Sequence, residues 1–503
     1  MTHEAYMPRS IIIIGAGMAG LSAGCYAEMN GFETQLFEQH TTPGGVCTSW
    51  KRKGYTFDCC IHNLGGSSEH TRPHEVWREL GAVPARSMIS YDEFVQVEED
   101  AHTFTVYTDI DRLEKHMEER FPDDEHAIKE FTSAARHFTD FELLSAGPLA
   151  RKGELLRALK FIPALIKWSR LSLKQYAARF TDPFLQRAFP CVMYDVDDIP
   201  MIFLLNFLAQ MHKGDLGYPT GGSLAFSQAI ADRYHELGGT IHYKSRVTKI
   251  LVEDDRAVGV ALADGTTHRA GVVVSDADGR TTIFDMLEGK HTNERIRAFY
   301  AHPQERQAMT VHVSFGVQRD VSNEPHAIVL FLEEPVQLMD TEVDRLDLEL
   351  SSHDPTLAPS GKGTIKAVLN SSYQYWRRLH ATHEVYQAEK ERLAEIVADQ
   401  LETRFPGLKE QIEVVDVATP ITFERYTGTW QGFQAWQPDQ SVRGVVNTFI
   451  GRAWCRTLPG LKDFYMVGQW AGDFGLYGTA VGGRKLVQHF CKLEGKRFKT
   501  SST

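Results

Sequence analysis

IIIIGAGMAGLSAGCYAEMNGFETQLFEQH, residues Ile11 to His40, is the stretch on which the fold turns. It has the apolar density of an export-signal core. Gly15, Gly17, Gly20 and Gly24 interrupt it, however, and Glu4 weakens the positive flank such a signal needs. Four β-branched residues in a row, Ile11 to Ile14, predict a buried parallel strand. Gly15, Gly17 and Gly20, with Met18 and Ala19 between them, then follow the dinucleotide-binding spacing. The first glycine permits the tight turn, the second lets a pyrophosphate approach the backbone, and the third lets helix pack on strand. A helix over Leu21–Met29 aims its N-terminal amides at the phosphates. A second strand is expected over Thr34–Phe37, and Glu38 at its end would accept ribose hydroxyls. An acid there would repel a 2'-phosphate, so the adenosine belongs to FAD or NAD and not to NADP. The alternative is a glycine-rich helix start with no ligand.

The bulk composition is an ordinary globular balance with enough apolar mass for a large core. The 503 residues suggest two domains or one elaborated domain. A formal charge of -12 disfavours nucleic acid as a partner. Seven cysteines (Cys25, Cys47, Cys59, Cys60, Cys191, Cys455 and Cys491) show neither a disulfide framework nor metal-ligand spacing, so free thiols and no bound metal are expected. No apolar run is long enough to cross a bilayer; Met201–Met211 is too short and carries Asn206 and Gln210. The expectation is a soluble, cytoplasmic protein.

The next segment separates the two dinucleotides. TTPGGVCTSW places Gly44, Gly45 and Val46 just past Glu38, and GYTFDCCIHNLGG follows from Gly54 to Gly66. A NAD dehydrogenase would continue directly with further strand–helix units. Two later blocks matter as well: GYPTGGSLAFSQAIADRYHELGG with the alternating strands behind it, Gly217 to Asp278, and FYMVGQWAGDFGLYGTAVGGRKLVQHF, Phe464 to Phe490. Together these segments resemble the phytoene desaturase, retinol saturase and carotene isomerase group of the amine-oxidase-like flavoproteins. The resemblance implies bound FAD, with the glycine pair and the short strand after it lining the cofactor. It implies that Val247 touches the adenine side. It also implies that Gly468, Gln469, Gly475, Leu476 and Gly478 form the closing FAD motif, at a second helix N-terminus. Phytoene desaturases proper usually carry prolines in that last loop, where Asp473 and Phe474 stand here. No second GxGxxG is present, so a separate NAD(P)H domain is not expected.

The fold class expected is α/β: a discontinuous Rossmann-type FAD-binding domain (1–70, 217–290 and 456–503) with an α+β substrate or lid domain (71–216 and 291–455). The first insertion reads as largely helical, with a break near Pro122–Asp124. The second mixes strands (AMTVHVSFGV, AIVLFL, GTIKAVLN) with one polar helix, HEVYQAEKERLAEIVADQLETRF. Glu154–Phe180 alternates Leu, Ile, Phe and Trp with Arg157, Lys160, Lys167, Arg170, Lys174 and Arg179. It reads either as a lid helix with a solvated basic face or as a peripheral contact with a membrane.

Flavin chemistry at a carbon–carbon bond needs a dry, aromatic-walled site more than a strong base. ITFERYTGTWQGFQAW supplies Phe423, Glu424, Tyr426, Trp430, Phe433 and Trp436, either as a cavity wall or as an aromatic core strand and turn. His62 is the single side chain best suited to proton donation or flavin contact, with a structural histidine as the alternative. The catalytic candidates are therefore His62, Glu424, Tyr426 and Trp430. Cys59 and Cys60 are packing thiols or, alternatively, a flavin tether. The resemblance implies an FAD-dependent oxidoreductase that desaturates or saturates a lipophilic polyene, isoprenoid or fatty-acyl-like substrate. Oxygen, a quinone or a soluble carrier would take the electrons. A redox-neutral isomerase, a flavin amine oxidase and a non-enzymatic lipid carrier of the GDI type are the alternatives.

Overall fold

The computed structural model describes residues 10–141, 149, 152–194, 198–301, 307–433, 435–436 and 455–501. At its centre is a five-stranded parallel sheet in the order Thr240–His242, Thr34–Phe37, Ile11–Ile14, Val272–Ser275, Phe464–Met466. Ile11 is in register with Thr34 on one side and Val272 on the other, so the first strand is central and buried on both faces. The run of isoleucines divides accordingly. Ile11 and Ile13 pack with the helices Met18–Met29, Gly222–Glu236 and Gly475–Leu493. Ile12 and Ile14 pack with a small antiparallel sheet, Val247–Glu253, Arg256–Leu262 and Thr267–Arg269. This two-sided burial is why the strand is apolar throughout instead of alternating. The α/β architecture with a separate sheet domain is therefore as expected.

A seven-stranded mixed sheet forms the other layer, in the order Ile412–Ala418, Thr310–Val317, Gly363–Asn370, Thr341–Leu350, Ala327–Leu338, Glu93–Glu99, His102–Tyr107. Its two faces differ in chemistry. Val311, Val313, Phe315, Ile365, Ala367, Leu346 and Leu348 pack against the helices Tyr373–His380 and His383–Arg404. The alternate positions, His312, Ser314, Lys366 and Asp347, are polar and yet buried. One edge of this sheet departs from expectation. The first insertion is not only helical: Glu93–Glu99 and His102–Tyr107 form a hairpin turning at Asp100 (φ 51°). Its apolar alternation is period two, and Ile328–Leu330 pairs with it in parallel.

Helices between Ile110 and His212 make a third compact cluster, and their break at Pro122–Asp124 is a 3-10 turn. Met201–His212 lies in this cluster, and among the described residues no helix is long and apolar enough to cross a membrane. The stretch around Glu424 is not a strand either. Thr419 caps a helix over Pro420–Thr427, with Pro420 at its first turn. The second insertion thus holds more helices than the single polar one its sequence suggested. The end of the expected helix at 142–144, and the stretch 437–454, lie outside the described residues.

Candidate functional site

The parallel sheet ends in a cavity of about 1170 Å³ that runs from the glycine loop to the seven-stranded sheet. Gly15, Gly17, Met18, Ala19, Glu38, Gly44, Gly45, Val46, Val247, Gly468, Gln469, Gly475, Leu476 and Gly478 all line it. Gly20 sits one layer back. A Cβ there would lie 2.2 Å from the Gly15 carbonyl oxygen, so only glycine lets the helix approach the strand this closely. Gly44 (φ +110°) folds the second glycine turn onto the first loop through a hydrogen bond from its N–H to the Ala16 carbonyl at 2.8 Å. Elements far apart in sequence therefore meet because short glycine turns let backbone pack on backbone.

Three carboxylates mark the nucleotide end. Glu38 accepts from the Ala16 N–H at 2.8 Å and the His40 N–H at 2.7 Å, and burial raises its carboxyl above the ordinary range. Asp473 accepts from the Gly468 N–H at 3.0 Å and is ion-paired to Arg456. Burial nevertheless pushes it up to about 6. Asp276, which the sequence did not flag, accepts from the Gly20 N–H at 2.7 Å. Arg246 and Arg280 also line the cavity and were not anticipated. The donor set fits a dinucleotide: helix N-terminal amides for phosphate, an acid at the end of the second strand for ribose, and an adjoining apolar slot.

The far end is aromatic and apolar. Phe94, Met193, Tyr194, Phe207 and Leu216 line it together with His62, Asn63 and Gln210. His62 is not isolated. Its Nδ1 lies 2.7 Å from Glu349 Oε1, while Glu349 Oε2 is 2.7 Å from Lys366 Nζ, which also donates to the Asp58 carbonyl at 2.8 Å. Burial alone would raise the Glu349 carboxyl, but His62 and Lys366 hold it well below the usual carboxylate range. Behind them a small chamber of about 40 Å³ is lined by Asp58, Tyr91, Tyr218, His326 and His353. Tyr218 donates to Asp58 at 2.6 Å, which ties the GYPTGG turn to this chamber and not to the main cavity.

The four catalytic candidates are placed differently. His62, Glu424 and Trp430 line the cavity. Glu424 is occupied by the Tyr373 hydroxyl at 2.7 Å and the Gln431 N–H at 3.1 Å, which makes it a brace of the wall. Trp430 donates its backbone N–H to Asp278 at 3.1 Å, and Arg280 lies over its ring. Tyr426 is not a lining residue; it is 43% exposed and edge-on to His40, because the helical turn carries it to the side opposite Glu424, which lines the cavity. Cys60 lines the cavity and Cys59 does not. Cys59 is bonded to the Thr48 carbonyl at 3.0 Å, and burial pushes its thiol up, away from the thiolate. Among the described residues no three His, Cys, Asp or Glu side chains come together as a metal set.

The profile of a NAD(P)-binding Rossmann-like domain matches residues 13–80. The chain is 25% identical over 454 residues to prolycopene isomerase 1, chloroplastic, of an Oncidium hybrid cultivar, covering 86% of this chain and 76% of that protein. It is 27% identical over 477 residues to the neurosporene-forming phytoene desaturase of Cereibacter sphaeroides, covering 87% and 89%. The chain is a relative of the carotene isomerases and phytoene desaturases. Its fold is also that of an oxidoreductase from Methanosarcina mazei, with a TM-score of 0.59, 17% identity, and coverage of 95% of this chain and 100% of that one.

Proposed function

We propose that this relative of the carotene isomerases and phytoene desaturases is an FAD-dependent oxidoreductase. It would act on the carbon–carbon bonds of a lipophilic polyene, isoprenoid or fatty-acyl-like substrate. One observation carries this: a single cavity joins a dinucleotide-binding loop at Gly15–Glu38 to an aromatic, apolar slot at Phe94, Tyr194 and Phe207. Glu38 and Val247 would hold the adenosine end, the amides after Gly17 the pyrophosphate, and the 44–46 turn with the 475–478 helix start the other end. Bound FAD supplies the hydride acceptor or donor.

The chain's own residues do the rest. Phe94, Met193, Tyr194 and Phe207 exclude water and lay an extended apolar substrate in the slot. His62, held by Glu349, can deliver or receive a proton at its imidazole on the cavity side. A proton source beside an otherwise apolar wall suits saturation and double-bond isomerisation as well as desaturation. The likeness to a prolycopene isomerase keeps isomerisation as the second reading.

The substrate's source supports the same reading. Leu156, Leu159, Ile162 and Ile166 are 69%, 57%, 44% and 37% exposed on the helices Lys152–Ala158 and Ile162–Ser169 and the turn between them. Six basic residues accompany them between 154 and 180, against the single acid Glu154, in a chain whose net charge is -12. This is the pattern of a surface that lies on an anionic bilayer. Ile162–Ser169 packs on Met201–His212, whose Phe207 and Gln210 line the cavity.

The test is an absorption spectrum of the purified protein, before and after acid release, followed by product mass with lipophilic polyenes. A product two hydrogens lighter or heavier marks desaturation or saturation, and an unchanged mass marks isomerisation. A folded chain that neither carries nor takes up FAD would overturn the proposal and favour a lipid carrier.

A further inference from the structure

Of the carboxylates at the nucleotide end, Glu38 has two N–H donors, and Asp473 has Arg456 and the Gly468 N–H. Asp276 differs. Among the described residues it accepts a single hydrogen bond, from the Gly20 N–H in the first turn of the Met18–Met29 helix, and makes no ion pair. Its carboxylate therefore stands where that helix end attracts an anion. It is also wedged. A Cβ on Gly17 would lie 2.6 Å from Asp276 Oδ2, and one on Gly468 would lie 2.4 Å from Oδ1. Its own N–H is tied to the Ile14 carbonyl at 2.8 Å, which fixes the main chain from which this side chain reaches the helix end.

On the FAD reading above, a pyrophosphate brings two negative charges to the same helix end. Asp276 is half-buried on the cavity wall, and a like charge a few ångströms away disfavours its ionised form. We propose that Asp276 is a proton-coupled residue of the cofactor site: dinucleotide binding takes one proton from solvent onto the Asp276 carboxylate, which then donates an O–H to the incoming phosphate instead of repelling it. No electrons move; one O–H bond forms and one solvent proton is consumed.

The surroundings favour the protonated form. Burial raises the Asp276 carboxyl well above its ordinary value, and Asp473 and Glu38 raise it further, against the Gly20 N–H. The other charged groups around this end are already engaged or stand on the wall. Asp278 accepts from the Thr281 and Trp430 N–H groups, Arg456 holds Asp473, Lys485 lies near Asp473, and Arg246 and Arg280 line the cavity. The Gly17–Gly20 turn itself brings no charge.

The experiment is titration of FAD into the flavin-free full-length chain across neutral pH, followed by flavin fluorescence. Calorimetry in two buffers of different ionisation heat then reads the protons taken up. Because burial already raises this carboxyl in the free chain, the uptake falls between that value and the still higher one beside the phosphates: within that window wild type should bind progressively more weakly as pH rises, approaching about tenfold per pH unit, with up to about one proton taken up. Asp276→Asn, with Asp276→Ser as a second variant, should flatten that dependence, abolish the uptake and bind more tightly than wild type at alkaline pH. A flat wild-type profile without uptake would overturn the proposal. So would an Asp276→Asn profile that keeps the wild-type slope, because the proton would then sit on Glu38 or Asp473. Failure of every form to bind FAD at any pH would instead remove the cofactor assignment, and this inference with it.

Discussion

Replacing Lys366 by methionine removes one cation from the buried pair beneath His62 and leaves the Glu349 carboxylate short of its partner. The Lys366 side chain is 8% exposed and that of Glu349 20%, with 2.7 Å between Nζ and Oε2. Two unit charges even 4 Å apart attract by about 4 kcal/mol at an effective dielectric near 20. Desolvation takes back most of that in the intact pair, but a single substitution leaves the penalty uncompensated, which costs about 3–5 kcal/mol. Lys366→Met also strips the Asp58 carbonyl of a donor. Both Lys366→Met and Glu349→Gln should therefore lose about 3 kcal/mol in urea unfolding followed by tryptophan fluorescence. The double variant should lose about 2 kcal/mol less than their sum. The pH sign is fixed by Glu349. Burial raises its carboxyl, but His62 and Lys366 outweigh this, so the folded value lies below the ordinary 4.5. The stabilisation is complete above that ordinary value and fades only as pH falls through the lower folded one. The coupling should thus shrink as pH is taken down through that folded value. Additive losses, within about 0.5 kcal/mol, would refute the claim that these charges compensate each other.

Gly20→Ala should cost the folded chain about 1–3 kcal/mol by overpacking, since its Cβ meets the Gly15 carbonyl at 2.2 Å, and the displaced helix start should weaken FAD binding in a fluorescence titration. Glu38→Gln should weaken FAD about tenfold or more, the loss of a charged hydrogen-bond acceptor worth about 1.5–3 kcal/mol, and should also lower the melting temperature, because its amide nitrogen cannot accept from both the Ala16 and the His40 N–H. Leu156→Asp with Ile162→Asp should cut sedimentation with anionic phosphatidylserine vesicles by at least about tenfold, since each inserted side chain contributes about 1.5–3 kcal/mol. Equal sedimentation of wild type and this variant would dismiss the exposed stripe as a membrane contact.

The parts of the cavity legible in the sequence are those written in consecutive residues. Gly15 to Glu38 and the Gly468–Gly478 segment each carry their signal within one strand–turn–helix unit, and the Gly44–Gly45 turn carries its own just before a short strand, Ser49–Arg52. The unread parts come from residues that meet only through tertiary packing. Asp276 follows an ordinary buried strand, and nothing local tells that its side chain reaches the Gly20 N–H. Lys366 did leave a trace: it is a lysine between Ile365 and Ala367 in a strand otherwise fit for a core, opposite Glu349 in a similar strand. Such a charge signals a face turned toward a polar partner, although not which partner. Tyr426 differs for another reason. Its aromatic-rich stretch reads as a strand or a wall, whereas the Thr419 cap and Pro420 start a helix whose period carries Tyr426 outward.

Neither sheet is made from one continuous piece of chain. The parallel sheet is finished only by Phe464–Met466, and the Glu93–Glu99 hairpin gains its inner neighbour only when Ile328–Leu330 arrives. During synthesis that hairpin must wait with an open edge while residues 108–327 are made, a circumstance that slows folding and invites wrong strand pairing. The same interleaving means that no single cut yields a nucleotide-binding fragment without the substrate wall. Attempts to express the halves separately should give aggregates, and recombination between relatives should succeed only where both layers are exchanged together.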